Sequence, residues 1–264
     1  MNTEPTLQDL ILLARQAGEI LRLGFGKTHQ VDYKSLIDPV TEIDRQSEAF
    51  LLENIRRRFP EHRIVAEENG EFQGDADALW YIDPLDGTVN YAHGIPIFSV
   101  SLAYAREGEV QFGVVYAPQM NECFAAARGA GATLNGHPIR VSSTSDLDHS
   151  LLVTGFPYHV RTTPENNLNW YAHFALRTQG VRRLGSAALD LCYVAAGRFD
   201  GYWEKFVEPW DIAAGALIAR EAGARVTAYD GGGAIFRRPC SVIAANPSIH
   251  TAMMGEFRAN GLRG

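Results

Sequence analysis

The chain has 264 residues, a formal charge of −7 at neutral pH and an isoelectric point near 5.6. Hydrophobic residues make up 46% of it and charged residues 21%, a globular balance that excludes a disordered chain and is long enough to bury a substantial core. The acidic balance, with Arg56-Arg57-Arg58 as the basic run that stands out, argues against a direct nucleic-acid binder, because such a surface must neutralise phosphates.

Leu7, Leu10, Ile11, Ala14, Gly18 and Leu21 recur at helical spacing, Thr6 with Asp9 fits a capping pattern, and Gly24 and Gly26 end the run. This first segment carries Glu4, Asp9 and Arg15 among its apolar residues, which is unlike a signal peptide. No apolar stretch in the chain is long enough to span a bilayer, so no membrane partner is expected. A second helix is expected from about Thr41 to Phe59, with Ile43, Phe50, Leu51, Ile55 and Phe59 inward and Pro60 beyond its end; the three arginines then sit in its last turn, where cations suit the dipole. The "VDYKSLIDPVTEID" segment between the two reads as a polar connection.

"RIVAEEN" and "ALWYIDPLD" read as strands whose C-terminal ends carry Glu67 and Glu68 in one and Asp83 in the other. "FSVSLAYAREGEVQFGVVYAP" and "ECFAAARGAGATLNGHPIRVS" alternate with Gly and Asn-Gly turns and predict an antiparallel meander. The second half continues with "SLLVTGF" as strand, "NLNWYAHFALRTQ" and "SAALDLCYVAAG" as helices and "FDGYWE" as strand. A helix in "WDIAAGALIAREAGA", stopped at Gly223, and a last strand close the pattern. There is no internal repeat and no low-complexity linker, so the chain is expected to be one unit over 1–264, with approximate lobes 1–145 and 146–264.

The chemistry concentrates in "WYIDPLDGTVNY", residues 80–91. Asp83 ends a strand, Pro84 and Leu85 turn the chain, and Asp86 brings a second carboxylate to the same mouth. Gly87 permits close backbone approach, and the Gly87 and Thr88 amides open a short helix or turn that suits an anion. Two like charges 4 Å apart repel by about 4 kcal/mol at an effective dielectric of 20, so the pair asks for a hard divalent cation that also accepts phosphate oxygens. An Asx-type surface turn explains the same string, and the string alone does not separate the two. Glu67-Glu68 fits a solvated strand end as well as a ligand pair, and Asp211 in "EPWDIAAG" fits a helix N-cap as well as a ligand.

Other motifs fail. Residues 24–28, "GFGKT", end like a phosphate-binding loop, but that pattern needs Gly at Leu21. There is no HExxH and no GxSxG, and Cys123, Cys192 and Cys240 form no CxxC, which makes a reduced cytoplasmic setting the default.

Taken with "FGVVYAP", "ARGAGATLNGHPIRVS", "LVTGFPY" and "RLGSAALDLCYVAAGRFDGYWE", the strings "WYIDPLDGTVNY" and "WDIAAGALIAREAGARVT" make the chain resemble the inositol monophosphatase family over nearly its whole length. The resemblance implies a layered α/β/α/β/α sandwich, usually a homodimer, that hydrolyses small phosphate monoesters with two or three Mg²⁺ per site and is inhibited by Li⁺ in at least some members. It implies that Glu67, Asp83, Asp86, Asp211 and the Leu85 carbonyl bind metal, with Glu67 counted also among the catalytic residues. Thr88 and Asp44 would activate the attacking water, and Gly87 and Thr88 would hold phosphate. Gly185, Ser186, Ala187 and Glu204, with Asp86 and Asp211, would face the substrate. Myo-inositol 1-phosphate is the expected substrate; histidinol phosphate, a nucleotide 2′- or 3′-phosphate and fructose 1,6-bisphosphate stay open, as does a regulatory role in contact with the transcription machinery. The chain departs from the family pattern in "VAEEN", where a Gly often precedes the two Glu, at Val89 and at Pro209, and its spacing from Lys34 to Asp44 is one residue short.

Overall fold

The computed structural model describes residues 4–27, 31–35 and 38–261; Thr28 of the 24–28 string and the side chain of Lys34 lie outside the described residues. Helix α1 (Leu7–Gly24) begins at a reciprocal cap, in which Thr6 Oγ1 accepts from the Asp9 amide and Asp9 Oδ2 accepts from the Thr6 amide. Such caps contribute about 1 kcal/mol. Leu10, Leu13, Ala14, Ala17 and Leu21, spaced three and four apart, form its buried stripe.

The expected polar connection is instead a two-stranded antiparallel ribbon, β1 (Val31–Ser35) and β2 (Asp38–Thr41). Its pairing satisfies backbone groups that a coil would leave to water, a gain that side-chain polarity alone does not reveal. Helix α2 (Glu42–Arg58) follows directly, capped by Thr41 and Asp44 in the same reciprocal way, with Arg56, Arg57 and Arg58 in its last turn.

The larger sheet comes from β3 (His62–Ala66), β4 (Gly70–Phe72), β5 (Asp75–Asp86), β6 (Ser99–Arg106), β7 (Glu109–Ala117), β8 (Glu122–Ala127), β9 (Ala132–Leu134) and β10 (His137–Pro138), with the short helix α3 (Thr88–Ala92) after β5. Its order is β10-β9-β8-β7-β6-β5-β3-β4. The β6 to β10 run is the expected antiparallel meander, and among the described residues of this sheet only β3 and β5 pair in parallel. Strand β3 ends at Ala66, so Glu67 and Glu68 belong to the turn beyond it and not to the strand.

The smaller sheet comprises β11 (Leu151–Thr154), β12 (Gly180–Arg182), β13 (Gly201–Val207), β14 (Arg225–Thr227) and β15 (Cys240–Ala245), in the order β12-β11-β13-β15-β14. Between and after these strands come α4 (Leu168–Ala175), α5 (Ala187–Ala195), α6 (Pro209–Glu221) and α7 (Pro247–Ala259). Strand β15 and helix α7 went unassigned in the sequence reading.

The elements stack as a mixed sandwich in five layers. Helices α1 and α2 pack on one face of the large sheet around Trp80, Leu51, Ile55 and Tyr104. Helices α5 and α6, rich in Ala, fill the space between the sheets. Helices α4 and α7 cover the far face of the small sheet around Phe174, Trp203 and Phe257. The buried indoles keep their donors satisfied: Trp80 Nε1 donates to His62 Nδ1 at 3.1 Å and Trp203 Nε1 to Asn167 Oδ1 at 2.6 Å. Among the described residues, no helix is long and apolar enough to cross a membrane.

Candidate active site

The carboxyl end of β5, the turn after β3 and the N-terminal ends of α5 and α6 meet around one cavity of about 460 Å³, within the range of small-molecule sites. Glu67, Asp83, Leu85, Asp86, Gly87, Thr88, Gly185, Ser186, Ala187, Glu204 and Asp211 all line it. Asp44 is buried behind that lining and reaches it through Thr88.

Strand β5 runs on through Asp86, and its register against β6 shifts between Asp83 and Asp86. That irregularity turns both carboxylates toward the cavity. Asp83 is 2% exposed, and its Oδ1 accepts from the Leu85 amide at 3.0 Å, closing an Asx turn around Pro84. Gly87 then takes φ +94°, and a Cβ there would lie 2.9 Å from the Ile97 carbonyl, so the chain enters α3 only with glycine at this point.

Helix α2 stands against this turn with three polar residues on its buried side. Asp44 Oδ2 accepts from the Thr41 amide at 2.8 Å and the Thr41 hydroxyl at 2.5 Å, while Oδ1 lies 2.9 Å from the Thr88 hydroxyl. Thr88 Oγ1 is also 2.9 Å from the Leu85 carbonyl. Ser47 Oγ donates to the Pro84 carbonyl at 3.0 Å. Glu48 accepts from the Glu68 amide at 2.9 Å and from the Asn69 amide and side chain at 2.8 and 2.6 Å, and so fixes the turn that presents Glu67. The sequence reading missed Ser47 and Glu48. Their signal was available: with Asp44 they put polar groups at i, i+3 and i+4 on the apolar side of an amphipathic helix.

Asp86 joins the two halves of the chain. Its Oδ2 accepts from the Ser186 hydroxyl at 2.5 Å and the Ala188 amide at 2.9 Å, at the N-terminus of α5, where a helix dipole favours an anion. Asp211 is not an N-cap: it is the third residue of α6, half-buried, and its Oδ2 accepts from the amide of the N-cap Glu208 at 2.8 Å. Ser101, the β6 partner of Asp83, donates to the Trp210 carbonyl at 3.2 Å and pins that helix end beside β5.

Burial dominates the electrostatics. It pushes Asp44 and Asp86 each up to about 6 against an ordinary 3.8, despite their hydrogen bonds. Asp83 rises well above the carboxylate range through burial first and then the charges of Glu67, Asp86 and Asp211; Asp211 rises through burial and Glu67. Among the described residues, no three of these carboxylates are drawn in around one ion-sized point. Their chemistry nonetheless fits a hard divalent cation: the donors are all oxygen, anionic, and mutually repelling in one cavity.

On the other side of the cavity Glu204 is 9% exposed, so it is not a solvated strand end. Its Oε2 accepts from the Tyr202 hydroxyl at 2.7 Å, and burial pushes it up to about 7. A Cβ on Gly155 would fall 2.0 Å from Glu204 Oε2, so glycine there makes room for the carboxylate. Further lining residues escaped the sequence reading, Arg183, Phe206 and Asp190 among them. Asp190 is 1% exposed with an Oδ1 that has no hydrogen-bond partner. Long-range packing puts them in the cavity; Arg183 and Asp190 lie in the quoted string 183–204, whereas Phe206 lies beyond it.

A family model described as the inositol monophosphatase family matches residues 2–261. An inositol-1-monophosphatase of Synechocystis sp. is 52% identical over 245 residues, covering 89% of this chain and 82% of the relative. The Nus factor SuhB of Escherichia coli K12 is 41% identical over 257 residues, covering 96% of each chain. The solved inositol monophosphatase of Anabaena (Nostoc) sp. PCC 7120 is 46% identical, with a TM-score of 0.85 and 96% of each chain covered.

Proposed function

Because the chain belongs to the inositol monophosphatase family and is a phosphatase, we propose that this cavity hydrolyses the phosphate monoester of a small polyol, with myo-inositol 1-phosphate as substrate. The convergence of four carboxylates with the Gly87-Thr88 turn on one cavity carries the reading. Glu67, Asp83, Asp86, Asp211 and the Leu85 carbonyl would hold Mg²⁺, two or three ions per site. When bound, Mg²⁺ neutralises charge on the phosphoryl oxygens and makes a neighbouring water more acidic.

The chain's own groups do the rest. The Thr88 hydroxyl donates to Asp44, which leaves its oxygen free to orient the attacking water and pass a proton toward the Asp44 carboxylate. The Gly87 and Thr88 amides take phosphate oxygens, and Ser186, Ala187 and Gly185 with Glu204 hold the alcohol, assisted by Asp86 and Asp211. Homodimer assembly, Li⁺ inhibition and a cytoplasmic location belong to the same proposal; light scattering tests the first and phosphate release in LiCl the second.

Phosphate release from inositol, histidinol, nucleotide and sugar phosphates, with and without Mg²⁺, tests the whole reading. No release from any ester in the presence of Mg²⁺ would end it. For Glu204→Gln, KM for myo-inositol 1-phosphate should rise about tenfold or more at pH 8, the cost of a hydrogen bond to a charged group, with kcat on glycerol 2-phosphate little changed. Because Glu204 sits near 7, the wild-type carboxyl is protonated below that pH and the gap between the two proteins should close by pH 6. Equal losses on both esters at every pH would remove Glu204 from alcohol binding.

The E. coli relative named Nus factor SuhB favours a second role: contact of this chain with the transcription machinery in addition to catalysis. Capture of RNA polymerase subunits by an inactive Asp211→Asn variant supports it, and no capture by either variant or wild type removes it.

A further inference from the structure

Strand β13 breaks its ladder to β15 at one residue. Lys205 pairs with Ser241 and Val207 with Cys240, leaving Phe206 as the extra residue of a β-bulge. Phe206 has φ +64°, a left-handed conformation that glycine adopts freely and bulky side chains rarely do. Lys205 pairs with Glu165, and Phe206 lines the catalytic cavity along with Glu204, two residues earlier on the same strand. The ring takes no part in the three apolar cores, so interior packing does not account for the unfavourable backbone. It is held at the cavity edge by His159, edge-on with centroids 4.8 Å apart and planes at 75°, and by the Lys205 ammonium 5.3 Å from its centre. Phe156, Tyr158 and His159, from the loop after β11, continue the same wall.

A backbone outlier that places an aromatic ring beside a substrate-facing carboxylate points from strain to function. We propose that Phe206 is a specificity-determining residue: its ring supports the apolar face of a ring-bearing alcohol while Glu204 meets the hydroxyl rim, so that the site favours phosphates of cyclic polyols over acyclic ones. A saturated ring carries its C–H bonds on its faces and its hydroxyls at its edge. It therefore fits between an aromatic surface and a hydrogen-bond acceptor, whereas a short acyclic chain has no face to stack. The inference rests on the phosphatase reading above.

The test compares Phe206→Gly and Phe206→Leu with wild type on myo-inositol 1-phosphate and glycerol 2-phosphate at saturating Mg²⁺. Glycine suits the φ of +64°, so the first variant removes the ring and the strain together, and unchanged circular dichroism verifies the fold. The expected result is a fall of about tenfold in kcat/KM for the inositol ester, the upper range for an aromatic contact. The glycerol ester should change less than about twofold, since it makes no such contact. Phe206→Leu, which restores apolar bulk without the aromatic face, should lie between. An unchanged ratio of the two specificity constants, or an equal fall in both, overturns the role of Phe206 and leaves the phosphatase reading standing. If wild type hydrolyses neither ester, the inositol-phosphate reading falls and takes this inference with it.

Discussion

Asp83→Asn should raise the melting temperature of the metal-free protein and at the same time remove almost all of its phosphatase activity. Asp83 is buried, and its proton affinity is raised by desolvation and by Glu67, Asp86 and Asp211. Asparagine keeps the Oδ1 acceptor for the Leu85 amide and deletes the charge. Relief of like-charge repulsion at this depth should appear as a rise of a few degrees, since 1 kcal/mol corresponds to roughly 2–4 °C in a chain of this size. Activity should fall about 10³-fold, because transition-state charge stabilisation of several kcal/mol is lost at 1.4 kcal/mol per factor of ten. Added Mg²⁺ should then reverse the order of the melting temperatures, because a ligand that binds only the folded state stabilises the protein that binds it better.

The pH dependence has a definite sign. Asp44 is ordinarily 3.8 and is held at about 6 in the folded protein, so between these values the folded state binds a proton that the unfolded chain has released. Its contribution, roughly 3 kcal/mol, is fully present below pH 3.8 and is lost as the pH rises through about 6. The carboxylates around Asp83 act in the same direction. Metal-free wild type should therefore lose more thermal stability between pH 4 and pH 7 than Asp83→Asn does. A variant that melts below wild type without metal would contradict the repulsive cluster.

Asp44→Asn and Thr88→Ala should each lower kcat by about 10²- to 10⁴-fold, the range for a positioned acid–base group. The double variant should be no worse than the poorer single one. The reason is geometric: the Thr88 hydroxyl lies 2.9 Å from Asp44 Oδ1, so the two act as one unit and their losses do not add. Wild-type kcat should fall toward acid pH as Asp44 takes up its proton, with a midpoint that bound Mg²⁺ moves below the metal-free value of about 6. This acid limb should be absent from Asp44→Asn. The substitution also weakens the α2 cap at Thr41, which costs about 1 kcal/mol of stability and is read separately by thermal melting. Losses that multiply in the double variant would mean that Thr88 and Asp44 serve different steps.

The parts of this molecule that were legible in the sequence are those set by local chemistry. Thr6 with Asp9 and Thr41 with Asp44 lie three residues apart, and both form the reciprocal caps that such spacing favours. The meander from β6 to β10 carries its own Gly and Asn-Gly turns. Residues 83–88 announce an acidic turn because the Asx bond, the glycine and the helix start are all within reach of one another. The ribbon of β1 and β2 was not legible, since its stability lies in cross-strand backbone bonds beneath a polar pattern. The meeting of Asp86 with Ser186, 100 residues away, depends on the packing of α5 between two sheets. Phe206 lies beyond the strand read in "FDGYWE", and a strand pattern predicts neither the bulge nor a left-handed phenylalanine there.

Helix α2 also carries a consequence for how this chain tolerates changes in length. Asp44, Ser47 and Glu48 touch Thr88, Pro84 and the turn at Glu68 and Asn69 from a single rigid register. One residue inserted between Asp44 and Glu48 would swing the helix downstream by about 100°, carrying Glu48, and Ser47 if it follows the insertion, away from their partners together. Length variation should therefore be refused within this stretch, which makes the first two turns of α2 a gauge block against which both acidic turns are set.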